Sequence, residues 1–282
     1  MKVITMTAWR RPDYFDKVLS ALEVCTGSED YKVLVQIDGG YPDAQEVMED
    51  RCWKSTLNVI AVTEITNIGC AGNTHKALSR GFAEHVEWVI HLEDDTLPSK
   101  DFLVYMEENL SRYQTIDSIF SVTGYQGTHD RDWKTPWFEN DAESLGIAEW
   151  FTCWGWGTWR RVWNQLDEGW FGINWNDKGD TYRQIHGESP EGDEFLSCVT
   201  KKPTGSWAQP MNHYWRAHIG SPYEIKPAVS RIQNIGVEEG AFATPQYNLA
   251  MQHTPNFIED LINQPNYPLD HDFIELFLAE QL

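Results

Sequence analysis

A chain of 282 residues with 43 acidic and 22 basic side chains carries a formal charge of −21. That balance excludes tracking a nucleic-acid backbone, whose affinity comes from Lys and Arg, and it excludes docking on an anionic membrane. It suits a protein that recruits a divalent cation, and a 41% hydrophobic content supplies a sizeable core.

Lys2–Thr7 (KVITMT) predicts a first strand. Asp13–Val24 follows with apolar residues at helical spacing and Pro12 just ahead of it. Tyr31–Ile37 predicts a second strand that ends in Asp38-Gly39-Gly40. Ala44–Lys54 predicts a helix and Leu57–Glu64 a third strand. Gly69-Cys70-Ala71-Gly72-Asn73 reads as a glycine-bearing turn feeding a helix over Thr74–Glu84. Glu87–Leu92 predicts a fourth strand and Asp101–Arg112 a helix.

Strands alternating with helices of this length predict an α/β fold with a mostly parallel sheet flanked by helices. In such sheets ligands bind beyond the carboxyl ends of the strands. That rule gathers Thr7–Arg10, Asp38 and the triplet Glu93-Asp94-Asp95 at three equivalent strand ends, and one of Arg10 and Arg11 is expected to face them. Adjacent carboxylates repel by roughly 1 kcal/mol per pair even in water. Capping of the next helix does not require the triplet, because Ser99 and Asp101 are available as caps. A hard cation would relieve the repulsion, since Mg²⁺ and Mn²⁺ take carboxylate and phosphate oxygens. Asp38 has two readings: an Asp-Gly turn, or an acceptor for a nucleotide base.

The second half changes character. Seven of the fourteen Trp lie between Trp150 and Trp175. Trp156, Trp159 and Trp163 have i, i+3, i+7 spacing, which predicts a helix face in a core. Trp150 and Trp154 precede it and are candidates to stack on the C–H face of a bound ring. Asp270–Gln281 predicts a terminal helix. His91 reads as a core histidine. The five cysteines are odd in number with no CxxC pair, which predicts reduced thiols. No stretch reaches the ~18 apolar residues of a membrane span. The start lacks a basic segment followed by an apolar run, so a cytoplasmic protein is expected. There is neither GxxxxGK[ST] nor a GxGxxG after the first strand, so any diphosphate is expected to be held by a metal.

Four ordered segments resemble the GT-A fold glycosyltransferases, in particular N-acetylglucosaminyltransferase I and related bacterial and viral sugar transferases. They are VLVQIDGGYPDAQEVMED, EWVIHLEDDTLPSKDFLVYMEENL, EWFTCWGWGTWRRVWNQLDEGWFGINWND and IKPAVSRIQNIGVEEG. The resemblance implies one GT-A domain, with 1–112 as the nucleotide-sugar half and 113–282 as the acceptor and catalytic half. It implies a metal-dependent inverting transfer of a sugar from a nucleotide donor, UDP-linked by analogy, to a glycan or glycoprotein acceptor. Asp95 would ligate Mn²⁺ or Mg²⁺, Asp94 and Glu93 would face ribose and sugar, Asp38 the uracil, and Arg10 the diphosphate. Thr7 lines the same edge.

Inverting transfer needs a base to take the acceptor's proton, from a segment apart from the metal ligand. Asp177 would be that base, although Asn-Asp-Lys-Gly is also turn chemistry. Asp180 and Glu149 are the reserves. The chain departs from the family on the acceptor side: the interval from Asp177 to Pro227 is much longer, and Glu238-Glu239 replace a Ser-His pair. Two alternatives stand beside this expectation, a sugar-phosphate nucleotidyltransferase and a non-enzymatic carbohydrate-binding protein. The first usually carries a glycine-rich loop after the first strand, where this chain has Ala-Trp-Arg-Arg-Pro.

Overall fold

The computed structural model describes residues 2–126, 133–134, 143–148, 151–165, 223–236 and 269–280. The expected α/β sheet is present. Strands β1 (Lys2–Ala8), β2 (Tyr31–Ile37), β3 (Asn58–Thr63) and β4 (Trp88–Glu93) form a parallel block in the order β3-β2-β1-β4. Helices α1 (Pro12–Glu23), α2 (Pro42–Trp53) and α3 (Gly69–Ala83) make the connections. The first two each begin with the proline that pre-sets a helical φ and lacks a donor the first turn cannot use. Right-handed crossovers running outward to β3 and then back to β4 put α3 on the face away from α1 and α2. The central strands are covered on both sides and read as mostly apolar runs, with Ile4, Met6, Val33, Val35, Ile90 and Leu92 buried.

After β4 come the short β5 (Thr96–Pro98) and α4 (Phe102–Arg112). The rest of the sheet is mixed. β6 is Ile119–Thr123, β7 Trp133–Lys134, β8 Leu145–Ala148, β9 Trp156–Trp159 and β10 Tyr223–Pro227. β9 inserts between β4 and β6, antiparallel to both, and the order continues β6-β10-β8-β7. A second, two-stranded sheet pairs β5 with β11 (Ile232–Asn234). Helix α5 (Arg160–Trp163) follows β9, and α6 (Asp272–Glu280) is the predicted terminal helix. None of the described helices is long and apolar enough to cross a membrane.

Three expectations need correction. The glycine-bearing turn at 69–73 is the first turn of α3. Trp156 and Trp159 are core residues, 0% and 1% exposed, but they lie on a strand and not on a helix face. Asp101 stands at the N-cap of α4 without a side-chain cap bond. Its carboxylate instead accepts from Ser99 Oγ at 2.6 Å and from the buried Arg231 Nε at 3.2 Å. His91 is a core residue as expected, and Cys25, Cys52, Cys70 and Cys153 are unbridged.

Candidate active site

The strand ends converge as the sheet rule requires. Thr7 lies opposite Gln36 on one side and Glu93 on the other, and the Asp38 N–H donates to Ala8 O at 2.8 Å. The turn after β4 is fixed by Thr96. Its hydroxyl accepts the Glu93 N–H at 2.8 Å and donates to Glu93 O at 2.9 Å. That turn buries Asp94 and Asp95 and leaves Glu93 half-buried.

The acids meet Arg11. Its Nη2 donates to Asp94 Oδ1 and to Asp95 Oδ2, the latter at 2.7 Å. The Trp9 N–H donates to Asp94 Oδ2 at 3.3 Å. Burial pushes the Asp94 carboxyl up to about 6; Arg11 draws it down and Asp95 adds to the rise. Burial also works against the charge of Arg11, but Asp94 and Asp95 outweigh it and raise its pKa. Arg10, the residue expected at the diphosphate, is exposed and lies over the Trp9 ring at 4.7 Å. The side chain that reaches the acids is therefore the neighbouring arginine, because a bend in the chain after β1 turns successive residues to different sides.

Asp38 is occupied by backbone. Oδ1 accepts the N–H groups of Gly39 and Ile68, both at 2.8 Å, and Oδ2 accepts that of Gly69 at 3.1 Å. It thereby caps α3 from another strand end, a favourable place for a negative charge. Trp9 Nε1 donates to Gly39 O at 3.2 Å, and its ring meets Tyr41 edge-on.

Sequence reading missed the second-half segment that closes over the acids. β11 lies on β5, and the Ile235 N–H donates to Asp95 O at 2.8 Å. Gly236 then passes so near that a Cβ there would stand 2.1 Å from Asp95 Oδ2. The only signal for it was that IKPAVSRIQNIGVEEG is one of the four resembling segments. Trp154 is half-buried and edge-on to Tyr125 at 4.7 Å. Glu149, Trp150, Asp177 and Asp180 lie outside the described residues.

Among the described residues no group of three or more His, Cys, Asp or Glu side chains is arranged to hold a metal. The donor set nevertheless fits a hard cation of the kind that takes one or two carboxylates and completes its shell with phosphate and water. Asp95 Oδ1 is buried and has no hydrogen-bond partner among the described residues. Such an orphaned carboxylate oxygen is costly unless something binds it.

No protein-family profile matches the chain, and no curated protein matches it in sequence. Solved structures similar to it include residues 1–349 of TarS from S. aureus, at 13% identity and TM-score 0.44, covering 80% of this chain and 60% of that one. A second is the mannosyltransferase PcManGT from Pyrobaculum calidifontis in complex with GDP-Man and Mn²⁺. There the identity is 16% and the TM-score 0.43, covering 58% of this chain and 46% of that one. TarS 1–349 in complex with UDP-GlcNAc matches at 16% and 0.38, covering 50% of this chain and 39% of that one. The chain spans 25% to 60% of the length of such structures. These are likenesses of chain arrangement, and the chemistry rests on the residues of the site.

Proposed function

We propose that this chain is a GT-A type glycosyltransferase. It would move a sugar from a nucleotide donor, UDP-linked by resemblance, to a hydroxyl of a glycan or glycoprotein, with inversion and with Mn²⁺ or Mg²⁺. The observation that carries the reading is the buried Asp94–Asp95 pair at the carboxyl end of β4, with Asp95 Oδ1 unpartnered among the described residues. An acid cap or a solvated turn would leave those oxygens bonded or wet.

In this reading Asp95 holds the cation, while Glu93 and Asp94 face ribose and sugar. When bound, the cation would neutralise charge on the departing diphosphate. Thr7 and Asp38 border the place of the nucleoside, Asp38 by fixing the loop that would receive the base. Asp177 takes the proton of the attacking hydroxyl, with Asp180 and Glu149 as further candidates, and Trp150 and Trp154 present flat apolar faces to the acceptor. Residues 1–112 are the donor half and 113–282 the acceptor half of one domain.

The test is a panel of nucleotide sugars incubated with the protein and Mn²⁺, scored for metal-dependent binding and slow donor hydrolysis. Binding of at least one donor is expected, and its loss in Asp95→Ala. Asp177→Asn should keep donor binding and lose transfer. Failure of every nucleotide sugar to bind in the presence of metal overturns the proposal.

A further inference from the structure

The Arg11 fork is used on one side only. Nη2 serves both acids, whereas Nη1 is buried and has no hydrogen-bond partner among the described residues. Asp95, itself 9% exposed, leaves Oδ1 unpartnered among the described residues. A guanidinium placed only to neutralise two carboxylates would use both prongs, since the bidentate pair is the strong geometry. Gly236 lies against the same two side chains: a Cβ there would stand 2.9 Å from Nη1 and 2.1 Å from Asp95 Oδ2. One unused donor and one unused acceptor are thus buried on two bonded side chains, against which the backbone at Gly236 packs without a Cβ.

We infer that Arg11 is a resident counterion that occupies the carboxylates in the cation-free protein and couples cation binding to diphosphate binding. The inference rests on the donor-site reading above. Nη2 holds Asp94 Oδ1 and Asp95 Oδ2, so a divalent cation at the free Asp95 Oδ1 would share the Asp95 carboxylate with Arg11 and set a second positive charge beside it. Loading the cation alone would weaken the hold of Asp95 on a largely buried guanidinium and oppose two positive charges, which is costly. A diphosphate offers that guanidinium a new partner and offers the cation further oxygens. Each ligand therefore lowers the cost of the other, and linkage makes the effect reciprocal.

The experiment titrates Mn²⁺ into the protein, with free Mn²⁺ read by electron paramagnetic resonance, with and without UDP. It compares wild type, Arg11→Met and Arg11→Lys, each checked for folding by circular dichroism. Wild type should bind Mn²⁺ weakly alone and about tenfold or more tighter with UDP, the scale of a charge-assisted pair. Arg11→Met should bind Mn²⁺ alone about tenfold tighter than wild type, and UDP should then add less than it adds to wild type. Arg11→Lys, a point charge without the fork, should fall between them, and it carries the test if the methionine variant does not fold. If wild type responds to UDP but neither variant binds Mn²⁺ alone any tighter, the inference fails and the donor reading stands. If wild type binds no Mn²⁺ even with UDP, both fall.

Discussion

Asp38 shows how one side chain ties sequence-distant segments into a site. Three backbone N–H groups from two loops point at its carboxylate, which is only 3% exposed. Removing the carboxylate leaves those donors without their acceptor, except that Gly69 keeps Asn67 Oδ1 at 3.0 Å. An unsatisfied buried donor costs about 1–3 kcal/mol. Asp38→Ala is therefore expected to lose about 3 kcal/mol of stability, and Asp38→Asn, which keeps one acceptor oxygen, about half of that. Urea denaturation with an unchanged m-value checks both. If Asp38 is also a base contact, Asp38→Asn should weaken nucleotide binding under conditions where it is fully folded. Wild-type affinity there would leave the residue with its capping role alone.

At the scale of elements, the parallel block was legible because period and punctuation agree from β1 to α4. Pro12 and Pro42 mark helix starts, and the apolar strands end at Ala8, at Ile37 just before Asp38, and at Glu93. What escaped had physical causes. The first turn of α3 looked like a loop because its cap, Asp38, comes from another strand end and leaves no local signal. β9 looked helical because it is buried on both faces. Its tryptophans then show no alternation, and a spacing of three residues suits a helix equally. Three-residue strands such as β11 are too short to display any period. The packing of α3 on the sheet shows what sequence conceals at Gly81, where a Cβ would meet Thr5 Cγ2 at 2.7 Å and Val89 Cγ1 at 3.1 Å. Thr5 has little freedom to turn away, because its hydroxyl is held by His91 Nδ1 at 2.9 Å. Gly81→Ala gains about 1 kcal/mol of helix propensity but overpacks at a cost of about 1–3 kcal/mol. A net loss is expected. Thr5→Ser removes Cγ2 and keeps the hydroxyl, so the double variant should recover about 1 kcal/mol over Gly81→Ala. A double-mutant cycle by urea denaturation measures that coupling, and additive losses would show that the close approach to Thr5 is not what requires glycine.

Across the whole molecule, a chain of charge −21 folds around a sheet that buries a histidine on β4. His91 sits there, 0% exposed, between Thr5 and the edge of the Trp156 ring. Burial pushes its pKa down to about 3. The unfolded chain holds an ordinary histidine near 6.5. Above about pH 6.5 both states are neutral at this position and stability does not depend on it. As the pH falls below that value, the unfolded state takes up a proton that the folded state refuses. Stability therefore falls with pH from about 6.5 toward 3, by up to about 1.4 kcal/mol per pH unit for one proton. Most carboxylates titrate near 4, and Asp94, at about 6, is common to wild type and a His91 variant, so the difference between the two from pH 6.5 to 5 reports the histidine. His91→Asn retains a group able to bond to Thr5 Oγ1 and does not titrate. Its urea midpoint should vary less steeply than that of wild type across that interval, and the difference in slope should vanish above pH 7. Parallel slopes below pH 6.5 would mean that the folded sheet admits the proton, and that the strand leading to the acidic triplet is open to water.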